Sequence, residues 1–163
     1  MTAGEQIIDL IKIGLRPRDI VTRKALENAA AVVAASGGST NAALHLPAIA
    51  HECGVEFDLF DVAAIFKKTP YIADLKPGGR YVAKDMFEAG GIPILMKTLL
   101  DQGYLHGDCM TVTGRTIKEN MASVKWNPHQ DVVRPADKPI TVTGGVVGLI
   151  GNIALEKQCH ADS

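Results

Sequence analysis

Glycines occupy positions 37 and 38, and Ser39, Thr40 and Asn41 follow them at once, ahead of an apolar run. Glycine adopts backbone angles that other residues avoid, and Ser, Thr and Asn are the residue types that accept hydrogen bonds from the free N–H groups at a helix start. The stretch therefore predicts a tight turn that separates two helices. One helix has to end before the glycines, and the next begins at about Ser39.

The same turn is a candidate ligand site. The first turn of a helix presents unpaired N–H groups and the positive end of the helix dipole, and glycine lets a ligand approach the backbone closely. A carboxylate or a phosphate suits such a place, so Ser39, Thr40 and Asn41 are the candidate substrate-binding residues. The alternative is that Ser39 or Thr40 only caps the helix and that the glycines make the turn.

Length and charge narrow the class of protein. A chain of 163 residues has the length of one domain with a real core. The formal net charge is −1 and the 17 basic residues are dispersed, so we predict no nucleic-acid partner. No apolar run approaches the ~18 residues of a membrane span, and the first residues lack the layout of a signal peptide. We therefore predict no membrane partner and a cytoplasmic location.

The cysteine pattern gives no indication of a metal or redox site. Cys53, Cys109 and Cys159 are odd in number and far apart, without the close pairs that zinc and redox sites have. Buried free thiols are the usual state of such residues. We expect the three cysteines to be thiols without a metal.

Helical patterns dominate the first part of the chain. Apolar spacing predicts a helix over 3–13 and a second, alanine-rich helix that ends at the glycine pair. A third helix is expected from Ser39 to about Gly54, with Pro47 inside it.

The pattern continues with shorter helices. Asp58 predicts the start of a fourth helix. The side chains of this helix that we expect to be buried are Leu59, Phe60, Val62, Ile65 and Phe66. Further helices are predicted at 84–89, from Pro93 onward, and after Thr116, which forms a capping-box pattern with Glu119.

β-rich composition is confined to short segments. Strands are predicted at 71–75, 109–113, 140–143 and 146–150. Residues 126–139 have the composition of turns and linkers. We therefore predict a mainly helical part over 1–125, a linker over 126–139 and the start of a β unit over 140–163.

Four sequence blocks, in order, carry a family pattern. They read Ala-Ser-Gly-Gly-Ser-Thr-Asn-Ala-Ala-Leu-His-Leu at 35–46, Asp-Leu-Lys-Pro-Gly-Gly at 74–79, Gly-Gly-Ile-Pro at 90–93 and Leu-His-Gly-Asp-Cys-Met-Thr-Val-Thr-Gly at 105–114. The pattern resembles the dihydroxy-acid and sugar-acid dehydratase family, and residues 14–20 and 143–152 also resemble it. The resemblance covers roughly residues 3–154, and its details are closest to the dihydroxy-acid dehydratases.

The resemblance implies a hydro-lyase that converts a 2,3-dihydroxy acid into a 2-keto acid in the biosynthesis of valine, isoleucine and leucine. It implies an α/β fold, in which 1–125 is the later part of a large N-terminal α/β domain and 140–163 holds the first strands of a C-terminal β-barrel domain. Family members are several times longer, so the resemblance implies an internal fragment. For the full-length family it implies a homodimer, and a small dihydroxy acid as the ligand.

The resemblance also implies an iron–sulfur cluster and Mg²⁺ in the full-length family, with a serine that takes the C2 proton. It places that catalytic serine and the metal ligands outside this chain, and none of the three cysteines falls at a cluster position. We therefore expect no catalytic residue, no metal ligand and no bound cofactor in the isolated chain, which should be inactive. Two alternatives stay open: an inactive remnant or assembly piece, and a fragment of a related sugar-acid dehydratase.

The tail departs from the family. After residue 154 the family pattern of Pro, an acidic residue and Gly is replaced, and 155–163 matches nothing in it. If 140–154 begins a barrel whose other strands are missing, its apolar side chains lack partners. These side chains are Ile140, Val142, Val146, Val147, Leu149 and Ile150. We expect an oligomer contact or poor order from about Thr141 onward.

Five further residues have two interpretations each. His45 could face the pocket, but a histidine in an apolar run is more often a satisfied core group, which we predict. Asp74 with Lys76 could orient a charged ligand or form a solvated turn with a local ion pair. His106 and Asp108 have the types of an acid–base pair, but no nucleophile is near, so we favour a turn role.

Overall fold

The chain is represented by a computed structural model that describes residues 2–149 and 158–161, with side chains for 3–149. Within these residues it forms eight helices and one two-stranded sheet. The elements are α1 (Thr2–Lys12), α2 (Pro17–Ile20), α3 (Arg23–Ala35), α4 (Thr40–Cys53), α5 (Leu59–Lys68), α6 (Ala83–Ala89), α7 (Gly91–Asp101), α8 (Ile117–Met121), β1 (Val146–Leu149) and β2 (Gln158–Ala161). This helix-rich architecture is compatible with part of an α/β domain, and it does not show a barrel.

The alanine-rich helix α3 is central to the packing. Thr22 caps it by accepting a hydrogen bond from the Ala25 N–H at 3.3 Å. Ala30 and Ala34 are fully buried, and α3 contacts α4, α5 and α7. Small side chains let the neighbouring helices approach α3 closely.

The predicted bounds of α4 are confirmed. The helix starts after Ser39 and ends at Gly54, whose φ of 72° is left-handed, and Pro47 lies inside it. In α5 the predicted cap Asp58 is also confirmed, with Asp61 completing a capping box. The expected burial is wrong for Phe60, whose side chain is exposed.

A single main core joins segments from both ends of the described chain. Its largest side chains are Phe66, Ile72, Ile94, Leu95 and Leu99. Val132 and Val133, from the predicted linker, and Val146, from β1, belong to the same cluster. The division of the chain into three parts stays a prediction.

The predicted strand at 71–75 is wrong, although the segment is extended. It makes isolated bridges to three different places instead of a ladder. The Tyr71 N–H donates to the Thr141 carbonyl at 3.0 Å, the Ala73 N–H to the Ala35 carbonyl at 3.0 Å and the Asp74 N–H to the Val132 carbonyl at 2.8 Å. Because its neighbours change at nearly every residue, no regular pairing builds up.

Two further strand predictions are wrong. Residues 109–113 form a turn, in which the Thr111 N–H donates to the Arg115 carbonyl at 3.0 Å, with only a bridge at Met110. Residues 140–143 have only the bridge at Thr141. β-rich composition describes a side chain's preference, but a strand needs a partner strand.

The predicted strand at 146–150 is confirmed over Val146–Leu149, and residue 150 lies outside the described residues. β1 pairs with β2 in antiparallel register, with Val146 opposite Ala161. Val146 is buried against the helices, whereas Val142 and Leu149 are exposed. The expected oligomer contact or poor order after Thr141 stays a prediction.

No helix in the described part of the chain is long and apolar enough to cross a membrane.

Candidate functional site

The start of α4 has the geometry that its sequence predicts. Gly37 and Gly38 have φ angles of 92° and 76°, and Ser39 returns the chain to extended angles. The Ser39 Oγ accepts a hydrogen bond from the Asn41 N–H at 3.3 Å. Ser39 is therefore the N-cap, and it is exposed together with Thr40 and Asn41. Binding of a ligand by these three residues stays a prediction.

The glycine turn is enclosed by residues distant in sequence. A methyl group added at Gly37 would lie 3.1 Å from the Tyr71 hydroxyl oxygen, and one added at Gly38 would lie 2.6 Å from Val146 Cγ2. A methyl group at Gly145 would meet the Gly37 carbonyl oxygen at 2.8 Å. The turn that opens α4 is thus in contact with Tyr71 and with residues 145–146, two segments that are distant from it in sequence.

The second family block folds around a buried carboxylate. Asp74 accepts a hydrogen bond from the Arg80 backbone N–H at 3.1 Å and another from Arg80 Nε at 2.5 Å. Of the two interpretations of Asp74 with Lys76, the solvated turn is wrong, since Asp74 is only 8% exposed and its ion-pair partner is Arg80, not Lys76. Orientation of a charged ligand by these residues stays a prediction. The backbone at Gly79 bends so closely over Asp74 that the arginine reaches back to it.

This loop is tied to a later segment. Arg80 also lies 3.4 Å from an Asp131 carboxylate oxygen, and the Tyr81 hydroxyl donates to Asp131 at 2.6 Å. The Arg80 guanidinium stacks 4.8 Å from the centre of the Tyr81 ring. These contacts hold the loop at 74–81 against the segment that contains Asp131. The residue types of this loop did not predict the pairing with Asp131.

We expect the Asp74–Arg80 contact to make stability fall in acid. Burial by itself would raise the pKa of Asp74, but hydrogen bonds from Arg80 outweigh it and hold that pKa below its usual value. The carboxylate therefore stabilises the fold above its unfolded pKa of about 3.9, and this contribution is lost as the pH falls through the lower folded pKa. The stability gap between wild type and Asp74→Asn should shrink below about pH 4.

The measurement is urea unfolding followed by circular dichroism between pH 6 and pH 2. Arg80→Gln, which removes the guanidinium and leaves the carboxylate and the backbone N–H of residue 80, serves as the matched variant. It should lose the part of the acid-dependent stability that depends on the Arg80 side chain. A gap that stays constant over the whole range would contradict the role of Asp74.

His106 and Asp108 each contact α3 instead of forming a pair with each other. His106 Nε2 lies 2.6 Å from a Glu27 carboxylate oxygen, and Lys24 Nζ lies 2.6 Å from an Asp108 oxygen. The side chain of buried Asn28 forms two hydrogen bonds with the backbone of His106. It donates to the carbonyl at 2.9 Å and accepts from the N–H at 2.7 Å. These contacts anchor the loop, as the favoured turn role predicts. Asn28 is not among the candidate residues predicted from the sequence, although a lone polar residue within an alanine-rich face is an indication of such a contact.

His45 is exposed, so the prediction of a core histidine is wrong. The buried residues of α4 are Ala43 and Ala50, seven positions apart and hence on one face at 100° per residue. His45 is two positions beyond Ala43, which turns it about 200° away, to the opposite face. The apolar run therefore does not indicate burial on every side.

The described side chains, at 3–149, form no site for the metals that the resemblance implies. In the part of the chain that the structure describes, no three His, Cys, Asp or Glu side chains come together as a metal site. The buried Cys109 thiol lies 3.5 Å from the Asn28 side-chain nitrogen, and burial raises the pKa of this thiol. A thiol in this state is a poor metal ligand. That the chain alone binds no cofactor stays a prediction.

Comparison with known proteins identifies the class. The family of dihydroxy-acid/6-phosphogluconate dehydratase N-terminal domains matches residues 1–120. The match spans most of the chain and contains all four sequence blocks. The chain belongs to the dihydroxy-acid/6-phosphogluconate dehydratase family.

Individual relatives are more specific. The chain is 85% identical over 156 residues to dihydroxy-acid dehydratase 2 of Bradyrhizobium diazoefficiens, covering 96% of this chain and 27% of the relative. It is 78% identical to dihydroxy-acid dehydratase 2 of Mesorhizobium japonicum, covering 94% of this chain and 26% of the relative. It is 64% identical to the dihydroxy-acid dehydratase of Pelagibacter ubique, covering 94% and 27%. The chain therefore spans about a quarter of the length of these relatives.

Proposed function

We propose that this chain is part of a dihydroxy-acid dehydratase, a hydro-lyase that converts a 2,3-dihydroxy acid into a 2-keto acid in branched-chain amino-acid biosynthesis. The observation that carries the proposal is the enclosed glycine turn at the start of α4, in a chain 85% identical to a protein of that name. The biosynthetic role supports a cytoplasmic location.

The contribution of this chain is to bind the substrate carboxylate at the start of α4. Ser39, Thr40 and Asn41 lie on the exposed first turn, where N–H groups and the helix dipole favour an anion by about 0.3–1 kcal/mol at an exposed site. Enclosure of the turn by Tyr71 and Val146 supports a fixed orientation of these N–H groups.

The remaining chemistry belongs to the rest of the full-length protein. We propose that the iron–sulfur cluster, Mg²⁺ and the catalytic serine are provided outside this chain, and when bound the metals would supply Lewis-acid chemistry. We further propose that 140–163 corresponds to the start of a C-terminal β-barrel domain, and that the full-length protein is a homodimer.

The test replaces the matching segment of the full-length Bradyrhizobium relative with residues 1–154 of this chain. We expect the chimera to dehydrate a 2,3-dihydroxy acid. Absence of turnover in a folded, metal-loaded chimera would favour the inactive remnant. Turnover of a sugar acid such as gluconate in preference to the dihydroxy acid would favour the related sugar-acid dehydratase.

Substitutions at Ser39 separate capping from binding. Ser39→Ala removes the cap and should destabilise the fold by about 1 kcal/mol. Ser39→Asp keeps a capping oxygen but places a negative charge where the substrate carboxylate would bind. In the chimera, Ser39→Asp should therefore raise KM by roughly tenfold while its stability stays near that of wild type. An unchanged KM would show that Ser39 only caps α4.

We expect the isolated chain to be inactive. In our proposal the Lewis acid and the base, which are the largest contributors to this type of chemistry, belong to the rest of the full-length protein. The purified chain is treated with iron, sulfide and Mg²⁺, and bound iron and keto-acid formation are measured, with the full-length chimera as the positive control. Turnover by the chain alone would contradict the prediction.

A further inference from the structure

Tyr71 lies between the glycine turn and the second family block. Its backbone is paired with residues 140–141: the Tyr71 N–H donates to the Thr141 carbonyl at 3.0 Å, and the Tyr71 carbonyl accepts from the Ile140 N–H at 2.8 Å. The next residue, Ile72, donates to the carbonyl of Ala35, the last residue of α3. The position of Tyr71 is thus set by backbone contacts that do not depend on its side chain.

The Tyr71 ring packs directly against the turn. A methyl group at Gly37 would lie 3.1 Å from the hydroxyl oxygen, 3.2 Å from Cε2 and 3.3 Å from Cζ of the ring. At the next residue, Gly38, an added methyl group would meet Val146 Cγ2. Two successive glycines have many accessible backbone conformations and no side chains of their own to restrict them. The ring and Val146 are therefore what restricts the turn.

We propose that Tyr71 is a positioning residue for the start of α4: its ring holds the Gly37–Gly38 turn against Val146 and thereby fixes the direction of the N–H groups at 39–41. The second half of this statement rests on the proposed role of these groups in carboxylate binding. Burial raises the pKa of the Tyr71 hydroxyl, and the negative charge of Asp74 raises it further, so the side chain stays neutral near pH 7.

The experiment compares wild type with Tyr71→Ala, Tyr71→Leu and Tyr71→Phe in the 163-residue chain. Backbone ¹⁵N order parameters are measured by NMR at residues 38–41, with the amides of α3 as the internal reference. Tyr71→Ala should lower the order parameters of the turn from about 0.85, the usual value for rigid backbone, to below about 0.6 while those of α3 stay unchanged, and Tyr71→Phe should restore them. Tyr104→Ala, which removes the same side chain elsewhere, should leave the turn unchanged.

Ligand binding is measured in the same samples with glycerate, a simple 2,3-dihydroxy acid, and with uncharged glycerol as the control. Glycerate should shift the amide signals of Thr40 and Asn41. Its Kd should weaken by roughly twofold to fivefold in Tyr71→Ala, the share of binding that the oriented N–H groups provide, and recover in Tyr71→Phe. If Tyr71→Ala does not fold, Tyr71→Leu, which fills part of the space without reaching Gly37, gives the same comparison.

The two proposals fail in different ways. Equal order parameters of the turn in wild type and in folded Tyr71→Ala or Tyr71→Leu would overturn the positioning role. Lower order parameters in these variants, combined with no glycerate shift in wild type, would support the packing role but overturn carboxylate binding at 39–41. A loss in Tyr71→Phe as large as in Tyr71→Ala would overturn the assignment to the ring.

Discussion

Gly79→Ala should destabilise the fold by about 3 kcal/mol or more, because the added methyl group has no space. It would lie 2.4 Å from the Asp74 carbonyl carbon and 2.6 Å from the Leu75 nitrogen. Both atoms are backbone, so neither can swing aside as a flexible side chain would. The turn would have to open, which would separate Asp74 from Arg80. The measurement is the urea midpoint of unfolding at pH 7, followed by circular dichroism.

The neighbouring glycine is the matched control. A methyl group at Gly78 meets nothing within 4 Å. Gly78→Ala should therefore change stability by less than about 1 kcal/mol, and in the stabilising direction, because alanine restricts the unfolded chain. Equal effects of the two substitutions would show that the close approach over Asp74 does not exist in solution.

Phe66→Ala should cost about 3–5 kcal/mol of unfolding free energy. The Phe66 side chain is 1% exposed and lies in the main core, so truncation removes apolar burial and leaves a cavity. Phe87, which is 80% exposed, provides the matched control. Phe87→Ala should change stability by less than about 0.5 kcal/mol.

Urea unfolding of both variants checks the prediction. A cost for Phe66→Ala as small as that for Phe87→Ala would mean that α5 does not pack on α3 as described. A large cost for Phe87→Ala would instead show that the exposed face of α6 is covered, for example by a second copy of the chain. Light scattering of the wild type would then distinguish self-association from a different fold.

Helix ends could be predicted because they depend on neighbours in sequence. The Ser39 cap, the Asp58–Asp61 capping box and the left-handed Gly54 are each decided by a few adjacent residues. The Thr116–Glu119 capping box at the start of α8 is confirmed for the same reason. The position of the candidate site at the start of α4 follows from this local chemistry.

Strands and ion pairs could not be predicted in the same way. Whether 71–75 forms a strand depends on which segments lie beside it, and these are the end of α3 and residues 132–141. Asp74 has a lysine two positions away and an arginine six positions away. The bend at Gly79 is what brings the arginine into contact with the Asp74 carboxylate. The exposed position of His45 depends on which face of α4 meets α3.

By itself, the sequence determined the family, most of the longer helices, the caps at Ser39, Asp58 and Thr116, and the turn that opens α4. Each of these depends on residues that are close together in the chain. The short helix α2 was not predicted. Only the tertiary structure decided that Tyr71 and Val146 enclose this turn, that Asp74 is buried on Arg80, and that Asn28 clasps the loop at 106. The physical reason is that the contacts of the turn and of Asn28 join segments from about 35 to about 110 residues apart, and they depend on how the helices pack around α3. Asp74 and Arg80 are only six positions apart, but their contact depends on the close bend of the backbone at Gly79.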